Sequence, residues 1–432
     1  MSKLINQVTI NINRLGAIRN SVCHLNQFMV LSGESGVGKS YLAAACNYIF
    51  HLLSTNSRLN SIVGNHLPSF NSVRKNWGQE GVAFTLKIED LESYLKQDIV
   101  DYLRYIFNSQ SLDADISISL PINNDLVFYY SRAAESIEGI QDNYIHLSIN
   151  RVLRYRVKDE DEGIIGDNSF AILLRFFLIK QLFGDFRAFY RNFILPPSRG
   201  AVLTESILPK SGLYIEFMNA MRDLDISIPE ETSPSSKLLS SLSSVLGGSV
   251  SKDSLSDIYN YTTKDDIAMP LSAAASSVRE LSPLFLIINK FNISNSSFFI
   301  EEPEAHLHPS KQRMMADVLS LMIENGAFVQ ITTHSDYLMR RLNELISAYN
   351  IRKERPDSFS EVLDRISGGI ALNSSFVNAL LLVKNSHGDV EVIEQSILNG
   401  FDFSSFITAL TEGMDNEKLL NEMQETISDD RG

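Results

Sequence analysis

The chain opens with two stretches in which apolar and polar residues alternate, Leu4–Ile12 and Ala17–Leu25, with Gly16 between them. Period two predicts strands with one dry and one wet face, and a glycine at the join is where a hairpin can turn. The pattern then changes. Gln27–Leu31 is a short apolar run, read as a buried strand, and Ser40–Leu53 follows with helical spacing at Leu42, Ala45, Ile49 and Leu53.

Helical period returns at Asp90–Phe107, with Leu91, Tyr94, Leu95, Ile99, Leu103 and Ile106 on one face, and again at Ser169–Phe183. Short strands are predicted at Ile116–Leu120, Leu126–Tyr130 and Phe193–Pro197. Tyr144–Val157 is a strand region in which Arg151, Arg154 and Arg156 interleave with Val152, Leu153 and Tyr155. One wet face of a sheet is the plain reading of that spacing, and contact with a partner or nucleic acid is the other. Residues 230–256 are serine-rich and predict a loop, a short helix at Lys237–Val245 and a turn. Leu284–Phe291 reads as an apolar helix and Phe298–Ile300 as an apolar strand. Lys311–Glu324 predicts a helix ended by Gly326, and Ala327–Ile331 a buried strand. Asn378–Val392 carries a hairpin at Ser386–Asp389, and helices are expected on to Ile427.

With 44% hydrophobic and 21% charged residues among 432, the chain has an ordinary globular composition and room for two or three domains, or for one large domain with insertions. Cys23 and Cys46 make neither a disulfide framework nor a metal cluster, which fits a reducing cytosol. No secretory signal is visible at the N-terminus, and a cytoplasmic location is expected. The greasiest stretch, Phe170–Phe183, contains Arg175, Lys180 and Gln181 and is too short for a bilayer span, so no membrane partner is expected. A net charge of −14 disfavours coating of DNA by the whole surface, though not by a local basic patch.

Between the buried strand and the first helix lies Gly33-Glu34-Ser35-Gly36-Val37-Gly38-Lys39-Ser40, which fits G-x-x-x-x-G-K-[ST]. Its glycines let the backbone turn and approach an anion closely, and its amides with the following helix terminus can cradle phosphates. Lys39 can neutralise β/γ oxygens, and the Ser40 hydroxyl is placed to ligate Mg²⁺. The strand–loop–helix setting predicts binding of a nucleoside triphosphate. A second anchor is the run Phe298-Phe-Ile-Glu-Glu-Pro-Glu-Ala-His-Leu-His-Pro309. Glu301 and Glu302 end a core strand, one able to serve the metal and the next to polarise a water. His334 ends the following strand in Thr332-Thr333-His334-Ser335, within reach of a γ-phosphate.

This order of motifs resembles the ABC-type ATPases of the OLD/RecF/SMC branch. The resemblance implies an α/β fold, with a mixed sheet, antiparallel N-terminal strands and α/β insertions. It assigns Glu301 to the metal, Glu302 to the catalytic base and His334 to the switch histidine. It places Ala305, His306 and Leu307 at a dimer seam. The first acid is Glu301 where the family usually has Asp. Pro270–Pro283 occupies the place of the family's signature sequence. It lacks the Gly-Gly of transporters, but its Ser276-Ser277-Val278-Arg279-Glu280-Leu281 is similar to the Ser-Ser variant of OLD-like proteins, which makes Ser276 and Ser277 candidates to cap the γ-phosphate of a facing copy. A simple N-capping serine pair is the alternative. Pro196–Arg199 is similar to the family's Pro-Ala-x-Arg element. The implied partition is a core of residues 1–55 and 268–400, an insertion lobe of 56–267 and a helical tail of 401–432, without a TOPRIM domain. The implied ligands are ATP and Mg²⁺. Implied partners are a second copy in an ATP-sandwiched dimer, extending to a higher ring, and a separate effector, a nuclease. The comparison is with the ATPase subunits of anti-phage systems such as PARIS (AriA) and Septu (PtuA). The rival expectation is a RecF-like repair ATPase that clamps DNA.

Overall fold

Alternate residues of single strands point into two different cores, which is why the central strands read as unbroken apolar runs. In the strand Phe28–Gly33, Met29 and Leu31 join one buried cluster while Phe28 and Val30 join the other. The strand Ser296–Glu301 divides likewise, with Phe299 on the first side and Phe298 and Ile300 on the second. A sheet covered on both faces demands this composition.

The computed structural model describes residues 8–420 apart from 77–80, 138–139, 159–168, 186–188, 190, 205–207, 227–234, 254–257, 356–358, 398–399, 402–410 and 412–417. Three expectations lie wholly or partly outside it: the start of the first strand at Leu4, both ends of the serine-rich segment, and the helices to Ile427.

The described fold is α/β, with the mixed sheet and antiparallel N-terminal strands expected of an ABC-type P-loop core. Nine strands are ordered Ala114–Ser119, Thr9–Leu15, Ile18–His24, Val390–Gln395, Val377–Lys384, Phe28–Gly33, Phe328–Thr332, Ser296–Glu301 and Arg191–Leu195. The five from Val377–Lys384 to Arg191–Leu195 run parallel, whereas Thr9–Leu15 pairs antiparallel with both of its neighbours. Two members, Ala114–Ser119 and Arg191–Leu195, come from within residues 56–267. That segment therefore contributes strands to the core sheet as well as material outside it.

Outside it lies a four-stranded antiparallel sheet ordered Val82–Leu86, Leu126–Ile137, Ile140–Ile149, Leu153–Lys158. The strand region expected over 144–157 is a hairpin, turning at Asn150 and Arg151, whose φ values are 48° and 56°. The turn expected after the short helix lies at Gly247, whose φ is 83°, and a strand follows it directly. Gly248–Lys252 pairs with Tyr259–Thr263, and a Cβ on Gly248 would stand 2.1 Å from the Thr262 carbonyl oxygen. The helix expected at Leu284–Phe291 begins at Ser276 and runs through Pro283 to Lys290. Proline usually ends a helix. Here burial of Val278, Leu281, Leu284 and Phe285 in one cluster overrides that preference.

The helix Lys39–Ser54 lies against the central sheet and is pinned to it by a dry polar network. Asn47, itself fully buried, donates to the side-chain oxygens of Asn192 at 2.9 Å and Gln330 at 3.0 Å. Tyr102 donates to Asn47, and Ser297 to Gln330. Replacing Asn47 with Leu fills the volume but removes the partner that Asn192 and Tyr102 bond, at roughly 1–3 kcal/mol for each group left unpaired. Urea unfolding of Asn47→Leu should show a loss of that size. A midpoint equal to that of the parent would remove the pin from the account.

Candidate functional site

Three parallel strands end at one edge, and the chemistry collects where they end. Thr332 pairs in register with both Leu31 and Glu301. The residues that follow each strand therefore emerge side by side: the loop Gly33–Ser40, Glu302 and Thr333–His334.

The loop meets its steric demands through glycine. Gly33, Gly36 and Gly38 have φ of 134°, 79° and 95°, where side chains are strained. A Cβ on Gly33 would lie 2.5 Å from the carbonyl oxygen of Leu382 in the neighbouring strand. Val37 anchors the loop in the core, while Glu34, Ser35 and Gly36 are exposed. Gly38 caps the helix with no side-chain hydrogen bond, which leaves the first amides open to an anion. Lys39 is 6% exposed, and its ammonium donates to the carbonyls of Gly33 at 3.1 Å and Glu34 at 2.7 Å. Burial lowers its pKa to about 8, against the raising effect of the Glu302, Glu304 and Glu301 carboxylates.

Ser40 Oγ donates to Glu301 Oε2 at 2.5 Å across 261 positions of sequence. Burial raises the pKa of Glu301 and so does the adjacent Glu302 charge, while the Ser40 hydrogen bond, Arg199 and Lys39 act the other way. Glu302 has a left-handed φ of 45°. Its amide donates to the Thr332 carbonyl at 3.1 Å and lies 3.3 Å from Thr332 Oγ1, and its carboxylate stands 3.9 Å from His334 Nε2. Desolvation, followed by the Lys39 charge, favours the neutral His334 ring, although Glu302 opposes both.

The structure thus brings Gly33–Ser40, Glu301, Glu302 and His334 together. Ser276 and Ser277 open the helix Ser276–Lys290. Ser276 is exposed and accepts from Arg279 at 3.4 Å, Ser277 is half-buried, and no hydrogen bond joins either to the loop among the described residues. His308 caps the helix Pro309–Glu324.

Sequence reasoning missed the work of Glu304. Its buried Oε1 accepts from Thr333 Oγ1 at 2.7 Å and the His334 amide at 2.8 Å, holding the histidine turn against the acidic run. The Glu-Pro-Glu spacing was the available signal. Magnesium fits this donor set. The hydroxyl of Ser40 and the carboxylate of Glu301 are hard oxygen ligands already paired at the mouth of an anion cradle.

The AAA_15 family, described as an AAA ATPase domain, matches residues 210–339, a segment containing Glu301, Glu302 and His334 but not the phosphate loop. It supports an ATPase in the broad sense. No curated protein matches the chain. Among solved structures, an SMC head bound to the C-winged helix domain of ScpA is 12% identical, covers 90% of this chain and 97% of its own, and superposes with a TM-score of 0.36. The SMC head domain from Thermotoga maritima is 10% identical, covering 90% and 98% with a TM-score of 0.33. An SMC head from Pyrococcus furiosus with an extended coiled coil, bound to the C-terminal domain of ScpA, is 11% identical, covering 94% and 98% with a TM-score of 0.34. No helix among the described residues is long and apolar enough to cross a membrane.

The depressed Lys39 pKa predicts pH-dependent nucleotide binding. A triphosphate selects the ammonium form, so above about pH 8 binding must take up a proton. ATP affinity should be level near pH 7 and fall by up to about tenfold per pH unit above 8. Calorimetry across pH in buffers of different ionisation enthalpy reads both the affinity and the proton count. Affinity that stays level to pH 9.5 would rule out the shifted lysine.

Proposed function

We propose that the chain binds ATP with Mg²⁺ at the phosphate loop and hydrolyses it to ADP and phosphate within a head-to-tail dimer. The contact of Ser40 with Glu301 carries this reading, because it joins the two motifs around one point. Loop amides and Lys39 hold the phosphates. Ser40 and Glu301 would hold the magnesium ion, which neutralises phosphate charge when bound. Glu302 accepts the proton of the attacking water, and a neutral His334 donates a hydrogen bond to the γ-phosphate. Ser276 and Ser277 of a second copy cap that phosphate from the far side, a role that fits their place at a helix start, with Ser276 exposed.

In the cell, this ATPase is the sensor subunit of an anti-phage system that restrains a separate effector, a nuclease. The order of motifs supports this step, which is one of analogy. Lys39→Ala should weaken ATP binding at least tenfold and abolish any protection against phage. Glu302→Gln should lower kcat by about 10²–10⁴ and accumulate an ATP-bound dimer visible by ultracentrifugation. Parental turnover in Glu302→Gln would defeat the base assignment. Unchanged phage plating with Lys39→Ala would defeat the defence role.

One observation favours the second reading, a DNA-clamping ATPase. Register places Tyr129, Ser131, His146, Ser148, Arg154 and Arg156 on one face of the four-stranded sheet. A cleft of about 370 Å³ lies among them. Arg156 pairs with Glu135, whereas Arg151 stacks over Tyr129 and no carboxylate pairs with Arg151 or Arg154 among the described residues. If this face holds DNA, Arg151→Ala with Arg154→Ala should lower the slope of log affinity against log salt by roughly 2. Equal slopes for variant and parent would remove DNA from this face.

A further inference from the structure

Arg199 is 2% exposed and has one carboxylate within 4 Å among the described residues, that of Glu280 at 3.8 Å. Its fork serves main-chain carbonyls from three separate segments instead. Nε donates to the Glu280 carbonyl at 2.8 Å, and Nη1 donates to those of Pro196 at 3.1 Å and Glu301 at 2.9 Å. Gly200 reinforces the joint. Its amide donates to Glu280 Oε1 at 3.3 Å, and a Cβ there would stand 2.6 Å from the backbone of Arg279. Pro283 has no amide hydrogen, so the Arg279 carbonyl lacks its usual helical donor. The helix is thus opened at the point where Gly200 packs closest.

The Glu301 carbonyl belongs to the peptide that leads into the left-handed Glu302. That strained turn is held from both sides, by Thr332 at the Glu302 amide and by Arg199 at the preceding carbonyl. The same guanidinium grips the helix whose first residues are Ser276 and Ser277.

We propose that Arg199 is a positioning residue that ties the helix Ser276–Lys290 to the Glu301–Glu302 peptide, so that Glu302 takes its working position only when that helix is seated. The inference rests on the reading of Glu302 as the base. A planar fork can hold three carbonyls in fixed relative positions, and a lysine ammonium on a flexible stem cannot.

The test compares Arg199→Lys, Gly200→Ala and Glu302→Gln with the parent, measuring kcat and KM for ATP, ATP affinity and the thermal midpoint. Arg199→Lys should lower kcat at least tenfold with ATP affinity within about threefold. Gly200→Ala keeps the guanidinium but pushes on Arg279, and should shift kcat in the same direction. If Glu302→Gln turns over normally, the base reading fails first. If Glu302→Gln is inactive while Arg199→Lys keeps the parental kcat, the positioning role is overturned. It is equally overturned if Arg199→Lys loses ATP affinity and thermal stability in step with kcat, or does not fold, because Arg199 then serves folding alone.

Discussion

The row in which Leu31, Thr332 and Glu301 stand abreast is the constraint on which everything at this edge depends. Strand side chains alternate, so a slip of one residue would turn Glu301 towards the opposite core and put an apolar neighbour against Ser40. The register is enforced from below. Phe28, Val30, Phe298 and Ile300 belong to one cluster, Met29, Leu31 and Phe299 to the other, and exchanging the sets would disturb both at once. Packing of the apolar sheet therefore specifies where the polar chemistry is delivered. The Thr333 amide extends the row, donating to the Leu31 carbonyl at 3.0 Å beyond the last paired strand residue.

Burial dominates the electrostatics of this edge. Lys39 and His334 are shifted towards their neutral forms, and so are the carboxylic acids Glu301 and Glu304. Shifts in opposite directions for acids and bases have one common cause, the removal of water from charge. In the structure the Lys39 ammonium rests on carbonyls of its own loop, and Ser40 is bonded to Glu301. On the proposed reading, binding exchanges these bonds for stronger charge-assisted ones and leaves the backbone cradle as it is.

The locally encoded parts were legible in the sequence. A glycine-rich loop between a buried strand and a helix, an apolar strand ending in acids, and a histidine after the next strand each occupy a few consecutive residues. Boundaries followed well where periodicity was strong, as in the helix expected over Asp90–Phe107 and found over Ile88–Phe107. What escaped depends on distant partners. Ala114–Ser119 and Arg191–Leu195 are short strands whose place in the core sheet is decided by Thr9–Leu15 and Ser296–Glu301. The apolar helix was expected only from Leu284, after Pro283, and it is the apolar cluster around it that carries the helix back through the proline to Ser276. Arg199 stood in a recognisable Pro-Pro-Ser-Arg run, yet nothing nearby in sequence reveals that its partners lie 81 and 102 positions away.

Those two separations indicate how one site can be built across an interface. The loop, Glu301, Glu302 and His334 are linked directly through strand register and short hydrogen bonds within one chain. Ser276 and Ser277 stand apart, at the exposed end of a helix whose buried side is fastened to the acid-rich strand through Arg199. If a facing copy supplies the phosphate they cap, engaging it pulls on the helix from its free end. Gly200 fits closely against the helix and the guanidinium fork is planar, so on the proposed reading the pull is passed to the Glu301 carbonyl through Arg199. A flexible link would let each copy hydrolyse alone. On the proposed reading, a link made of a helix and one buried arginine instead makes the geometry of Glu302 depend on whether the helix is engaged.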